Sequence, residues 1–207
     1  NGDYAITANF ALPVWEIHLH SGWNTMSVPI ALDSSIDTWG EFSAELDLDP
    51  LAVTYYFDGS SQIWGQVLAG YQLKPCDAIY VKMASEDTAP IIPSSLPSVS
   101  SKELYAGWNL VSLAYLPTGE DGLPGMKANE ALISVEEVSG GLTGYVVAVS
   151  PPVHQPPWIY TGGEIGDWDG VSPPPDGWML IGKGYWVFML NDGTLAGFTF
   201  TPLGWGS

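Results

Sequence analysis

Three tryptophans and four carboxylates lie in one stretch of the sequence that is rich in proline and glycine. Trp158, Trp168 and Trp178 are spaced by ten residues. Flat aromatic rings bind the apolar C–H faces of sugars, while polar groups at the ring edge fix the orientation of the sugar. These three residues are therefore a candidate carbohydrate-binding platform. The alternative is that their rings cover the ends of a small β core, as large apolar side chains do.

The carboxylates of the same stretch are a candidate calcium site. Asp167 and Asp169 stand two residues apart, directly before Gly170, and Glu164 and Asp176 could supplement them. Ca²⁺ takes about six to eight oxygen ligands from a bent loop, and an Asp-x-Asp-Gly run is a common start for such a loop. The complete loop pattern is missing, so a solvated acidic turn is the alternative. We expect no cofactor apart from a possible Ca²⁺ ion.

No catalytic pattern surrounds the other reactive side chains. Cys76 is the single cysteine, so a disulfide within the chain is excluded. We expect it to be a small buried hydrophobe, the alternative being a disulfide bridge to a second chain. His18 and His20 share one face of a predicted strand; they could bind a transition metal with a third ligand, but two exposed residues on an edge strand are the favoured interpretation. We therefore predict that the protein is not an enzyme.

Composition excludes several classes of partner. The chain has 23 acidic residues, five lysines and no arginine, for a net charge of −18. Nucleic acid and anionic lipid both require a basic surface, which this chain cannot build. With 46% hydrophobic residues and 10 tryptophans, it is unlike a disordered protein. No apolar run is long enough to insert in a membrane. The acidic, aromatic composition favours an extracellular or cell-surface location.

The sequence contains two similar segments in the same order. The run around Gly22-Trp23-Asn24 matches that around Gly107-Trp108-Asn109, and 78–83 matches 184–189. Ordered matches of this kind indicate a duplication. The predicted division is an N-terminal segment (1–18), a first unit (19–92), a linker (93–103) and a second unit (104–207) with insertions at 150–157 and 162–177.

Periodicity and turn residues predict an α+β fold that is predominantly β. Each unit is expected to form a small antiparallel or mixed sheet with one short helix. The first helix is placed at 34–46, capped by Asp33 or Ser34, because Ile36, Trp39, Phe42 and Leu46 recur at helical spacing. The remaining tryptophans on predicted strands are assigned to the core; they are Trp23, Trp64, Trp108 and Trp186.

The paired motifs Ala106-Gly107-Trp108-Asn109-Leu110-Val111 and Gly184-Tyr185-Trp186-Val187 resemble those of tandem β-rich modules in large secreted and surface-layer-type proteins of prokaryotes. The first unit is a looser copy, with Cys76-Asp77 where those modules carry a Pro-Gly turn. The resemblance covers roughly 19–202. It implies a surface location and a non-enzymatic role, and it brings no catalytic residues. The run 3–10 also resembles the last strand of a small bacterial β repeat that often precedes such modules.

That first strand has no partner within either unit, so it is a candidate assembly strand. Its alternating residues are Tyr4, Ile6, Ala8 and Phe10. An unpaired strand adds to an exposed sheet edge of its own or another chain. We therefore predict a non-enzymatic extracellular or cell-surface structural module of the surface-layer, filament or adhesin type, with self-assembly or other surface proteins as partners. The alternatives are a carbohydrate-binding module and a calcium-stabilised spacer.

Overall fold

The computed structural model of the chain describes residues 15–95, 100–114, 125–135, 144–153, 158–161 and 177–197. The predicted fold class is confirmed, because the described residues form mostly antiparallel strands with two helices of one turn each. In chain order the elements are β1 Trp15–Leu19, β2 Gly22–Met26, α1 Trp39–Phe42, β3 Tyr55–Asp58, β4 Ile63–Gln66, β5 Ile79–Met83, β6 Asp87–Ile91, β7 Ser101–Leu104, β8 Gly107–Ser112, β9 Gly125–Lys127, α2 Ala128–Ala131, β10 Tyr145–Val149, β11 Ile159–Thr161, β12 Trp178–Leu180, β13 Gly184–Met189 and β14 Gly193–Ala196.

Two four-stranded antiparallel sheets dominate the fold, one in the N-terminal half (15–95) and one in the C-terminal half (100–197). Their strand orders are β2-β5-β3-β4 and β8-β13-β10-β11. The registers correspond as well, since Gly22 pairs with Met83 in the first sheet and Gly107 pairs with Met189 in the second. Each matched pair of sequence motifs therefore forms the same two neighbouring strands in its own half.

A buried asparagine fixes the turn that enters each sheet. Asn24 donates to the carbonyls of His20 and Gly22 at 2.7 and 3.0 Å, and its carbonyl accepts the amide of His20 at 3.0 Å. Asn109 makes the corresponding three bonds to Tyr105 and Gly107. Both asparagines are almost fully buried. Their amides satisfy turn groups that would otherwise be buried without partners.

Each half has its own hydrophobic core under one face of its sheet. Alternation along β5 buries Ile79, Val81 and Met83, and alternation along β13 buries Tyr185, Val187 and Met189. Two further ladders, β1–β6 and β7–β14, contribute Leu19, Ala89, Leu104 and Leu195 to these cores. Side chains at the other parity of β5 and β13 face away from the cores.

The first predicted helix is much shorter than expected. Trp39 and Phe42 are buried as predicted, but residues 34–38 are turn and extended backbone. The amide of Leu73 donates to the carbonyl of Asp37 at 2.8 Å, which keeps that segment extended. Asp33 caps no helix; its carboxylate accepts the amide of Ser35 at 3.0 Å in a local turn. Tertiary pairing thus overrides the helical spacing of the apolar residues.

Several strands fall in segments that we had placed outside the units. β1 begins at Trp15, within the predicted N-terminal segment, and pairs with β6. β7 includes the last three residues of the predicted linker 93–103, and it pairs with β14. Both β1 and β7 are short, and Ser101 and Lys102 weaken the strand signal of β7. Long-range pairing, which local sequence does not report, forms them.

Replacing either turn asparagine is expected to destabilise the protein. Asn24→Ala and Asn109→Ala each remove three hydrogen bonds and leave buried groups without partners, which costs about 2–4 kcal/mol of unfolding free energy. Urea titration followed by circular dichroism measures this cost. The exposed Asn191 is the control, and Asn191→Ala should change stability by less than about 0.5 kcal/mol. Equal stability of all three variants would show that the turns do not depend on these amides.

Candidate functional site

The described residues form a cleft that is lined by aromatic rings and lies between the two sheets. The rings lie on the sheet faces that point away from the two cores. Trp23, Trp64 and Trp108 are 40%, 50% and 38% exposed. Large apolar side chains scattered singly on a surface are ordinary, but a contiguous cluster marks an interaction site. We call this surface the aromatic cleft; it contains two adjoining pockets.

The first pocket lies mainly on the N-terminal sheet. Its volume is about 630 Å³, and it is lined by Trp23, Tyr55, Trp64, Tyr80 and Trp186. The strand register explains the arrangement, because Tyr55 and Tyr80 are directly opposite each other on β3 and β5. Among the described lining residues, Trp186 is the contribution of the C-terminal half. The pocket is thus completed only when the two halves are in contact.

The second pocket adjoins the first on the side of the C-terminal sheet. Its volume is about 360 Å³, and its lining is Phe57, Trp64, Trp108, Val149 and Trp186. Val149 is opposite Trp186 on β10 and β13, as Tyr55 is opposite Tyr80. Trp64 and Trp186 line both pockets. The two pockets therefore share walls and form a continuous surface.

Trp186 is the centre of the ring cluster. Its ring lies 4.9 Å from Phe57, 5.6 Å from Trp64 and 6.2 Å from Trp108, measured between centroids, and all three contacts are edge-to-face. Its indole N–H donates to the Tyr80 hydroxyl at 3.0 Å. Edge-to-face pairs align the positive ring edge with the negative face of the partner ring. The cluster is therefore preorganised before any ligand arrives.

Reciprocal backbone contacts hold the two sheets together beneath the rings. The amide of Ser27 donates to the carbonyl of Gly182 at 3.2 Å, and the amide of Ser112 donates to that of Cys76 at 3.0 Å. The Ser27 hydroxyl also donates to the carbonyl of Lys183 at 3.3 Å, and the Ser112 hydroxyl donates to that of Asp77 at 2.9 Å. Ser27 and Ser112 follow the two matched Trp-Asn motifs by the same number of residues. The contact is thus isologous, because equivalent serines of the two halves donate to equivalent backbone carbonyls of the opposite half.

Ala78 and Gly184 lie in close contact where the two halves meet. A Cβ built on Gly184 would lie 2.6 Å from the Cβ of Ala78 and 3.1 Å from that of Thr25. The Thr25 hydroxyl accepts the amide of Gly184 at 3.1 Å. Only a glycine at 184 permits this approach, because carbon atoms cannot come so close without displacement.

Two polar side chains clamp the same junction from its ends. Gln62 accepts the amide of Trp108 at 2.9 Å and donates to the carbonyl of the same residue at 2.8 Å. Lys102, from the C-terminal half, forms an ion pair with Asp77 and donates to the carbonyl of Leu110 at 2.8 Å. Backbone groups of Trp108 thereby obtain partners from the N-terminal half, and Lys102 links a carbonyl of β8 to Asp77 of that half.

The described part of the aromatic cleft is uncharged although the protein is strongly acidic. Among the described residues, no charged side chain lines either pocket. Lys82 is opposite Trp23 in the register and is paired with Asp49 at 2.8 Å. Burial raises the pKa of Tyr80, and the indole N–H donated by Trp186 opposes this shift. Tyr80 is therefore a neutral phenol at physiological pH.

Some residues of the predicted carbohydrate platform lie elsewhere. Trp158 is only 3% exposed and stacks on Tyr185 in the C-terminal core, with centroids 5.4 Å apart. The prediction that Trp158 offers its face to a ligand is therefore wrong, and the alternative, that it covers the core, fits. Trp178 is half-buried on β12. Trp168 lies outside the described residues.

The assignment of four other tryptophans to the core is also wrong. Trp23, Trp64 and Trp108 are exposed, and Trp186 is half-buried under them. The sequence contained one signal for this arrangement. Lys82 and Tyr80 are two residues apart on β5, so their side chains lie on the same face of the sheet, opposite the core. The corresponding face of β13 carries no polar residue, so it could not be recognised from the sequence as the face that points away from the core.

The remaining predicted sites fall outside the described residues or stay untested. The calcium candidates Glu164, Asp167, Asp169 and Asp176 and the assembly residues Tyr4, Ile6, Ala8 and Phe10 lie outside the described part of the chain. Within the described part, no three His, Cys, Asp or Glu residues are grouped as metal ligands. His18 is exposed and His20 is half-buried at the end of β1.

Comparison with known proteins assigns no relative to the chain: no protein-family model matches it, and no curated protein or solved structure is significantly similar. The family resemblance stated above therefore remains an expectation. Neither helix in the described ranges is long and apolar enough to span a membrane. The aromatic cleft itself is thus the main source for a functional proposal.

Cys76 is buried at the junction of the two halves. Its side chain is inaccessible, and burial together with the nearby Asp77 raises the pKa of the thiol to about 12. Its backbone φ of 68° is left-handed, as is the φ of 77° at Gly182, the corresponding position in the C-terminal half. The buried-hydrophobe interpretation agrees with this environment. A bridge to a second chain would require this region to open.

The thiol of Cys76 is expected to be unreactive in the native protein. At pH 8 a chromogenic disulfide reagent should modify it at least about 100-fold more slowly than in urea, because both the thiolate fraction and access are reduced. Absorbance after mixing measures the rate, and Cys76→Ala supplies the blank. Rapid modification without denaturant would contradict the buried position.

Proposed function

We propose that this protein is a non-enzymatic carbohydrate-binding module of the extracellular or cell-surface space, and that the aromatic cleft is its binding site. The observation that carries the proposal is the set of exposed rings that line two adjoining pockets, whose lining in the described part of the chain contains no charged side chain. Such rings offer rigid, flat, apolar surfaces that suit the C–H faces of sugars.

The charge of the protein narrows the range of ligands. A net charge of −18 repels nucleic acid, anionic polysaccharide and anionic lipid. It also disfavours docking of a second copy of the same chain, because the two copies would repel each other. A neutral ligand meets no such barrier. The lining is almost wholly aromatic rather than aliphatic, which favours stacking on ring-shaped groups over docking of an apolar peptide.

Polar groups at the rim could orient a sugar. Lys82 neighbours Trp23, and Gln66 is opposite Tyr55 in the strand register. The hydroxyl of Tyr80 already accepts a hydrogen bond from Trp186 and retains its own proton to donate. Sugar recognition in this cleft would therefore combine stacking with a few hydrogen bonds at its edge.

The proposal retains two expectations from the sequence, namely a duplicated architecture and a surface location. Matching strand order, matching register and the two equivalent asparagine turns support a duplication. The surface location is supported by composition and by the family resemblance. A structural or adhesive role remains compatible with binding a neutral polysaccharide of a cell wall or matrix.

Trp64→Ala is expected to weaken binding by at least about tenfold, because Trp64 lines both pockets and centrally placed aromatic residues dominate binding energy. Affinity electrophoresis in gels with xyloglucan, galactomannan, mixed-linkage glucan or soluble starch, with pull-down on cellulose and chitin, measures binding. The control is Ile63→Ala, which removes an exposed apolar side chain next to Trp64 on the same strand.

Far-ultraviolet circular dichroism establishes that both variants are folded. The proposal predicts that wild-type protein and Ile63→Ala are retarded by at least one of these polysaccharides and that Trp64→Ala is not. Binding to none of them, or equal retardation of Trp64→Ala and wild type, would refute the assignment of the cleft as a carbohydrate site.

A further inference from the structure

We infer that the two pockets are equivalent subsites for one linear, neutral polysaccharide chain, which is bound along its interior and across both halves of the protein. This inference rests on the proposed function. It specifies the class of ligand as an extended chain and excludes a single sugar or a chain end.

The first argument is the correspondence of the two linings. Strand register makes Trp23 equivalent to Trp108, since each follows the first glycine of its Gly-Trp-Asn motif, and it makes Tyr80 equivalent to Trp186. Each pocket thus contains the same two aromatic positions from the first and second strands of its own sheet. Two similar pockets on one face are suited to a ligand that repeats its own structure.

The second argument is that no wall separates the pockets. Trp64 and Trp186 form part of both linings, and their centroids are 5.6 Å apart. A ligand that leaves one pocket therefore passes directly over shared rings into the other. The second contact of such a ligand is intramolecular, so its affinity exceeds that of a fragment that fills one pocket.

The third argument concerns the direction of the chain. Because the contact between the halves is isologous, a chain that crosses the cleft meets the two subsites in opposite senses. Stacking on an aromatic face depends little on which way a sugar ring is turned, whereas hydrogen bonds to particular hydroxyls depend strongly on it. The nearly apolar linings suit this requirement, and none of the lining residues that the structure describes carries a charge to select a chain end.

The two subsites are expected to contribute unequally. Tyr55 in the first pocket corresponds to Val149 in the second, and the volumes are about 630 and 360 Å³. The first pocket therefore offers one more ring to a sugar. A short oligosaccharide should occupy the first pocket, and a longer one should reach the second.

Isothermal titration calorimetry with hexasaccharides and disaccharides tests the inference. The probes are cellohexaose, mannohexaose, chitohexaose and maltohexaose, each with its own disaccharide. For at least one series we expect one hexasaccharide per protein, bound at least about 30-fold more tightly than the disaccharide, as effective concentration predicts. Borohydride reduction of the hexasaccharide end should leave its affinity unchanged.

Two variants at equivalent positions separate the subsites. Trp23→Ala should weaken binding of both lengths, whereas Trp108→Ala should weaken hexasaccharide binding by at least about tenfold and leave disaccharide binding unchanged. Trp108→Ala retains the backbone groups that Gln62 binds, so the junction is preserved. Urea titration of both variants checks their stability.

The outcomes distinguish this inference from the proposed function. Two hexasaccharides per protein, affinity independent of length, loss of affinity on end reduction, or hexasaccharide binding unaffected by Trp108→Ala would each overturn the inference while the cleft remained a carbohydrate site. Binding of no probe together with no polysaccharide retention would overturn both.

Discussion

The close approach of the two sheets at Ala78 and Gly184 is the constraint on which the aromatic cleft depends. The space between these residues admits one Cβ and not two. Around this point the strands exchange reciprocal hydrogen bonds through Ser27 and Ser112. Because the sheets meet here, Trp186 of one half is placed among the rings of the other. Neither sheet alone could supply either pocket.

The acidic charge of the protein offsets the tendency of the aromatic cleft to self-associate. Exposed aromatic clusters favour self-association, but a charge of −18 opposes contact between copies of the chain. None of the described residues that line the cleft is charged. The protein can therefore present a large apolar surface in water while it repels its own copies, and the surface remains open to a neutral ligand.

Local sequence was sufficient for much of the fold. Periodicity and turn residues predicted the predominantly β fold class, which the described strands confirm, and the matched motifs lie on the same two neighbouring strands of each sheet. Local sequence failed where long-range contacts determine the backbone conformation. Residues 34–38 are an example, because they pair with Leu73 and Gln72 instead of continuing a helix. β7 was missed for the same reason.

The candidate site was harder to predict than the fold. The sequence prediction placed the candidate carbohydrate platform on tryptophans near the proline-rich insertions, of which Trp158 is buried. It assigned strand tryptophans to the core because burial is the usual fate of such residues. Which face of a strand is covered depends on how two sheets meet. In β13 (Gly-Tyr-Trp-Val-Phe-Met) both faces carry only apolar or small residues, so the sequence does not distinguish them. Only the three-dimensional contact distinguishes its two faces.

The most direct test of this account is a residue exchange across the junction, with circular dichroism of the coupled tryptophans as the measurement. Gly184→Ala should abolish the exciton signal of the Trp64–Trp186 pair and destabilise the protein by about 1–3 kcal/mol, as overpacking does. Adding Ala78→Gly should restore most of the signal and stability, since one Cβ again occupies the space. If Gly184→Ala alone kept the wild-type signal and stability, the two sheets would not meet at this point and the aromatic cleft would not exist as described.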